Sequence, residues 1–99
     1  MKTLSDIQTT LKTQTPVLCR DYPIRRLGIF GSVASGDATS TSDIDLLVEF
    51  TSPVSLFRFI ALEQQLSKLL KSPVDLVTPQ ALKSAVKEEI LRSAIYVTE

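Results

Sequence analysis

The 99-residue sequence has no histidine, no tryptophan and a single cysteine. Each scarcity removes a class of chemistry. Without imidazole there is no Ser-His-Asp or Cys-His catalytic set, and no zinc site that relies on histidine. Cys19 alone forms neither an intrachain disulfide nor a Cys-x-x-Cys pair, so nothing points to a stapled, secreted scaffold. No apolar run approaches the roughly 18 residues that span a bilayer, and Met1-Lys2-Thr3-Leu4-Ser5-Asp6 lacks the apolar stretch of a signal peptide. The 11 Lys and Arg balance 11 Asp and Glu, so no global field exists to hold nucleic acid by its phosphates. The expectation is a cytoplasmic protein with no membrane contact and no direct nucleic-acid binding.

What is present suits one ordinary globular domain over 1–99, at 43% hydrophobic and 22% charged residues. A chain of this length buries roughly two thirds of its unfolded surface, enough for one modest core. It leaves no room for a separate acceptor-binding domain.

Leu4, Ile7 and Leu11 recur at helical spacing behind Thr3 or Ser5 as N-cap. Pro16 is expected to break that helix, with Thr15-Pro16 restarting a short one toward Tyr22. Ile24 to Gly31 reads as a buried strand, apolar on both faces at Leu27-Gly28-Ile29-Phe30. A Gly-Ser turn and a polar loop lead to a second strand, Asp43 to Phe50. There Ile44, Leu46, Val48 and Phe50 take one face and Asp43, Asp45, Leu47 and Glu49 the other. Ser55 caps a helix bearing Leu56, Phe59, Ile60, Leu66, Leu69 and Leu70. Pro73 to Val77 forms a third strand, and Thr78-Pro79 opens a last helix lined by Leu82, Ala85, Val86 and Ile90. Ile95-Tyr96-Val97 is an edge strand. The order describes an α/β (α+β) domain, a small mixed sheet flanked by helices.

The stretch from Gly31 to Asp45 carries chemistry. Gly31 ends a buried strand and turns tightly with its backbone open to a ligand. A helical turn starting at Ser32 aims free N–H groups at a phosphate, and Gly36 lets the chain leave. Asp43 and Asp45, two apart on a strand, project from one face about 6 to 7 Å from each other. Such carboxylates repel unless a cation lies between them, and hard divalent ions pair one or two carboxylates with substrate phosphates. Asp75, opposite in direction to Val74 and Leu76, offers a third carboxylate for a second metal position or for the proton of an attacking hydroxyl. A four-residue pattern at this fixed spacing arises by chance in about one chain per thousand.

Gly31-Ser32 through Ser42-Asp43-Ile44-Asp45-Leu46-Leu47-Val48 resembles the signature of the DNA polymerase beta-like nucleotidyltransferase superfamily, and of its minimal (MNT) branch in particular. The resemblance extends over nearly the whole chain, including Pro53-Val54-Ser55-Leu56-Phe57 and Val74-Asp75-Leu76-Val77-Thr78-Pro79. It implies that fold and a reaction: in-line attack of an acceptor hydroxyl on the α-phosphate of ATP, with release of pyrophosphate. By position it implies that Asp43, Asp45 and Asp75 hold two Mg²⁺ ions and that Gly31 and Ser32 bind the nucleoside triphosphate. Members of this branch are typically antitoxins of a helical HEPN ribonuclease, and some attach AMP to a tyrosine of that partner. Ser35 stands where many relatives carry arginine, so a cation near the triphosphate is either absent or supplied by Arg25 or Arg26, which otherwise read as solvated charges.

Plainer readings stand beside these. Asp43 caps a turn and Asp45 is a solvated strand residue if the constellation is set aside; Glu49 reads as solvated, about 13 Å along the strand from Asp45. Phe57 and Phe59 read as core or partner interface, and Lys68, Lys71, Lys83 and Lys87 as exposed helix faces. Two functions compete with AMP transfer to a protein: an inactive module that neutralises its partner by binding alone, and nucleotide transfer to a small molecule.

Overall fold

The structure, a computed structural model, describes residues 3–35 and 43–97. Helix α1 (Leu4–Asp21) leads into β1 (Ile24–Phe30), a short α2 (Gly31–Ser35) and β2 (Ile44–Phe50). Helix α3 (Leu56–Leu70), β3 (Val74–Val77), a 3-10 turn (Pro79–Ala81), α4 (Ser84–Ser93) and β4 (Ile95–Tyr96) follow. The strands form one sheet in the order β3-β2-β1-β4. β1 runs antiparallel to both β2 and β4, while β2 and β3 are parallel. This is the mixed α/β sheet that the pattern of elements predicts.

Pro16 does not break the first helix. α1 runs unbroken for 18 residues with Pro16 inside it, opened by a capping box between Thr3 and Asp6. Proline in a helix interior costs about 3 kcal/mol. Beyond it, however, Leu18 and Tyr22 enter the core at 1% and 8% exposure, and each buried side chain of that size contributes about 1.5–3 kcal/mol. Burial outweighs propensity. Next to the proline, the Thr15 hydroxyl donates to Leu11 O at 2.7 Å, giving that carbonyl a side-chain partner.

Ile7, Leu11 and Leu18 of α1 meet Leu62, Leu66 and Leu70 of α3 over Ile44, Leu46 and Val48 of β2. The alternation along β2 therefore sends one row of side chains into the core. The opposite face of the sheet bears Asp45, Leu47 and Glu49. Part of that face is covered: Tyr96 lies against Gly28, where an added Cβ would meet the ring at 3.0 Å, and Ala94 is close by at 3.5 Å. The Tyr96 hydroxyl donates to Leu91 O at 2.9 Å, tying α4 to the strand.

The C-terminal helix also departs from expectation. Thr78 makes no side-chain cap, Pro79–Ala81 forms only a 3-10 turn, and Leu82 lies outside any helix. α4 starts at Ser84 and has no buried residue. Its anchor is the link to Tyr96 rather than an apolar stripe. Ser55 does cap α3, accepting from Arg58 N at 3.3 Å.

Candidate active site

The sheet brings the predicted acidic residues to one end of one face. Asp45 is the second residue of β2, and the parallel register sets it directly opposite Asp75 of β3. On the other side it pairs with Phe30, the last residue of β1, immediately before Gly31. Asp43 precedes β2 and is exposed, as is Asp75, whereas Asp45 is half-buried. Val74 and Leu76 are buried, so Asp75 points away from the core as the alternation requires.

Gly31 shapes this end of the sheet. Its φ is +76°, a conformation that other residues adopt only with strain. A Cβ built there would lie 2.1 Å from Asp45 Oδ2 and 2.9 Å from Cγ. The missing side chain thus leaves the space that the Asp45 carboxylate occupies. Gly31 also opens α2, whose second residue is Ser32, so the strand-to-helix turn falls where the Gly-Ser pair places it. The predicted exit at Gly36 and the polar loop through Ser42 lie outside the described residues.

The three carboxylates act on one another. The Asp45 pKa is raised from the usual aspartate value, first by burial and then by the negative charges of Asp75 and Asp43. No ion pair of the described residues reaches any of the three; those found are Arg20–Asp21 and Arg26–Glu49. Coulombic influence extends further than coordination, and among the described residues no three acidic side chains stand close enough to cage an ion as they are. The donor set is nevertheless all carboxylate oxygen carrying excess negative charge. That fits a hard divalent cation and no soft one.

Arg26 is not the free cation that the sequence left open. Its guanidinium pairs with Glu49, with Nε to Oε2 at 2.6 Å, and stacks 4.5 Å from the centroid of the Tyr96 ring. Glu49 is accordingly a partnered, mostly buried residue, with its side chain 20% exposed. Arg25 is exposed and borders a cleft of about 440 Å³ with Glu49, Phe50, Thr78 and Gln80. That cleft lies toward the far end of β2 from Asp45. Phe59 packs on Phe50 with ring centroids 6.4 Å apart, while Phe57 stays 86% exposed and Leu56 70% exposed. No helix among the described residues is long and apolar enough to cross a membrane.

Comparison with known proteins gives this arrangement a context. The nucleotidyltransferase domain family matches residues 11–97. The protein adenylyltransferase MntA of Thermococcus cleftensis is 40% identical over 97 residues, which cover 98% of each chain. A solved structure described as a minimal nucleotidyltransferase is 34% identical, covers 95% of both chains and superposes with a TM-score of 0.80. The complex of a tri-AMPylated Shewanella oneidensis HEPN toxin with its MNT antitoxin is 22% identical, with a TM-score of 0.64 over 91% of this chain and 71% of that one. At that identity the likeness is one of fold.

Proposed function

Because the chain belongs to the nucleotidyltransferase domain family and is an enzyme of that class, we propose that it is an antitoxin that transfers AMP from ATP to a tyrosine hydroxyl of a helical HEPN toxin. The observation that carries the site assignment is the register of Asp45 against Asp75, with Gly31 leaving room for the Asp45 carboxylate. The names of the relatives support AMP as the transferred group and a HEPN protein as the acceptor.

In this reading Asp43, Asp45 and Asp75 hold Mg²⁺, two ions being the count that three carboxylates suit. Bound there, the metal neutralises triphosphate charge and polarises the α-phosphate. The chain's own groups do the rest. Gly31 and Ser32 present the backbone of the strand-to-helix turn to the triphosphate. The carboxylates orient the acceptor oxygen in line with the bond that breaks. That oxygen bonds to the α-phosphorus, the bond to the β-phosphate oxygen breaks, and pyrophosphate leaves. Asp75, the most open of the strand acids, takes the hydroxyl proton. Leu56 and Phe57, exposed at the start of α3, offer apolar surface to a partner.

The test is transfer of label from α-labelled ATP to the co-purified partner with Mg²⁺ present. Label on a partner tyrosine, lost on removal of Mg²⁺ or in Asp43→Asn, supports the reading; undiminished labelling in that variant overturns it. Neutralisation by binding alone is favoured by one observation, the engagement of Arg26 with Glu49, which removes a cation from reach of the phosphates. Under that alternative the double variant Asp43→Asn, Asp45→Asn still suppresses the toxin.

A further inference from the structure

β3 closes one edge of the sheet, and an edge strand turns every second N–H away from its neighbour. Ile44 N donates to Pro73 O at 2.9 Å, and the ladder pairs Asp45 with Asp75. Val74 and Leu76 consequently aim their N–H groups outward, past the end of the sheet. Both are met by side chains of α3. Val74 N donates to Ser67 Oγ at 3.1 Å, and Leu76 N donates to Glu63 Oε2 at 2.9 Å. The Ser67 hydroxyl donates in turn to Glu63 O at 3.0 Å, one helical turn back.

These two bonds fall on the residues immediately before and after Asp75. β3 has only four residues and one neighbouring strand, so its ladder with β2 is a short hold on a backbone that must present a carboxylate. The α3 bonds add a second hold from the opposite side. The bond from Leu76 ends on a carboxylate, a charge-assisted acceptor of roughly twice the usual strength. Resting on the site reading above, we propose that Glu63 and Ser67 are positioning residues, which fix Asp75 opposite Asp45 by gripping the strand on either side of it. Neither touches the reacting atoms; they act through the placement of Asp75.

The experiment uses the full chain with Mn²⁺ as probe, its binding followed by electron paramagnetic resonance, together with amide exchange at Val74 and Leu76. Glu63→Ala should speed exchange at Leu76 and weaken Mn²⁺ binding about 10- to 100-fold, the usual loss when a partner supporting a metal ligand is removed. Glu63→Gln, which keeps an acceptor oxygen, should recover most of that binding. In an Asp75→Asn background Glu63→Ala should cost no further Mn²⁺ affinity. Ser67→Ala should move both readouts in the same direction by less, and it carries the test if Glu63→Ala does not fold. Faster Leu76 exchange with Mn²⁺ affinity unchanged, or losses that add to those of Asp75→Asn, would mean that the bonds only protect the edge, and the inference fails while the site reading stands. No Mn²⁺ binding by the unmodified chain, either alone or with a non-hydrolysable ATP analogue, would overturn both.

Discussion

Asp45 and Glu49 lie on the same face of the same strand, four residues apart, and their surroundings are opposite. Glu49 faces Arg26 across the ladder, and the guanidinium that neutralises it is itself stacked on Tyr96. Asp45 faces Asp75 across the other ladder and has Asp43 two residues before it, so burial and like charge push its pKa up. One end of the face satisfies its acid internally; the other gathers acids where a glycine makes room for the Asp45 carboxylate. A fold gains nothing in stability from the second arrangement, and such uncompensated charge fits the proposed site for a cation that comes with its substrate.

The comparison breaks first at Asp45. Asp45→Asn should lower the rate of AMP transfer roughly 10²- to 10³-fold, measured with saturating ATP and Mg²⁺, whereas Glu49→Gln should stay within a few-fold of the unmodified chain. Gly31→Ala should come next. It places a Cβ against Asp45 Oδ2 and forces an αL backbone on alanine, costing about 1–2 kcal/mol, so denaturant titration should show lower stability and the transfer assay a large loss. At the other end, Arg26→Ala should cost about 1 kcal/mol, since the Arg26 and Glu49 side chains are 40% and 20% exposed and solvent screens the pair.

The smallest effect has the opposite sign. A carboxyl whose folded pKa is raised stabilises the fold in its protonated form, and that contribution is lost as pH rises through the folded value. At neutral pH, without divalent ions, Asp45→Asn should therefore melt higher than the unmodified chain. The gap should close as pH falls through the Asp45 titration. A variant that melts lower throughout would contradict the electrostatic account.

Much of this is legible in the sequence because β2 alternates, with Leu47 the one apolar residue on its acidic face. Ile44, Leu46 and Val48 against Asp45 and Glu49 define two faces, and the spacing from Gly31-Ser32 to Asp43 and Asp45 placed the acids beyond a strand-to-helix turn. What escaped depends on residues distant in the chain. Pro16 read as a break because propensity is local, while Leu18 and Tyr22, which hold the helix past it, are fixed by packing. The Arg26–Glu49 pair spans 23 positions and needs the β1–β2 register. α4 read as a helix lined by Leu82, Ala85, Val86 and Ile90, yet its hold is a tyrosine on the neighbouring strand. Glu63 and Ser67, four apart on α3, carry no mark in the sequence; only the edge strand beside them supplies the N–H groups they accept from.

The proposed chemistry requires the acidic end of this face to take up a divalent ion. The direct measurement is a pH titration of the Asp45 carboxyl carbon by NMR, without and with Mg²⁺ and a non-hydrolysable ATP analogue. A midpoint above that of an ordinary aspartate, falling sharply once metal and nucleotide are added, is the expected result. A midpoint that ignores both would show that the three aspartates hold no metal, and the proposed chemistry would have no seat.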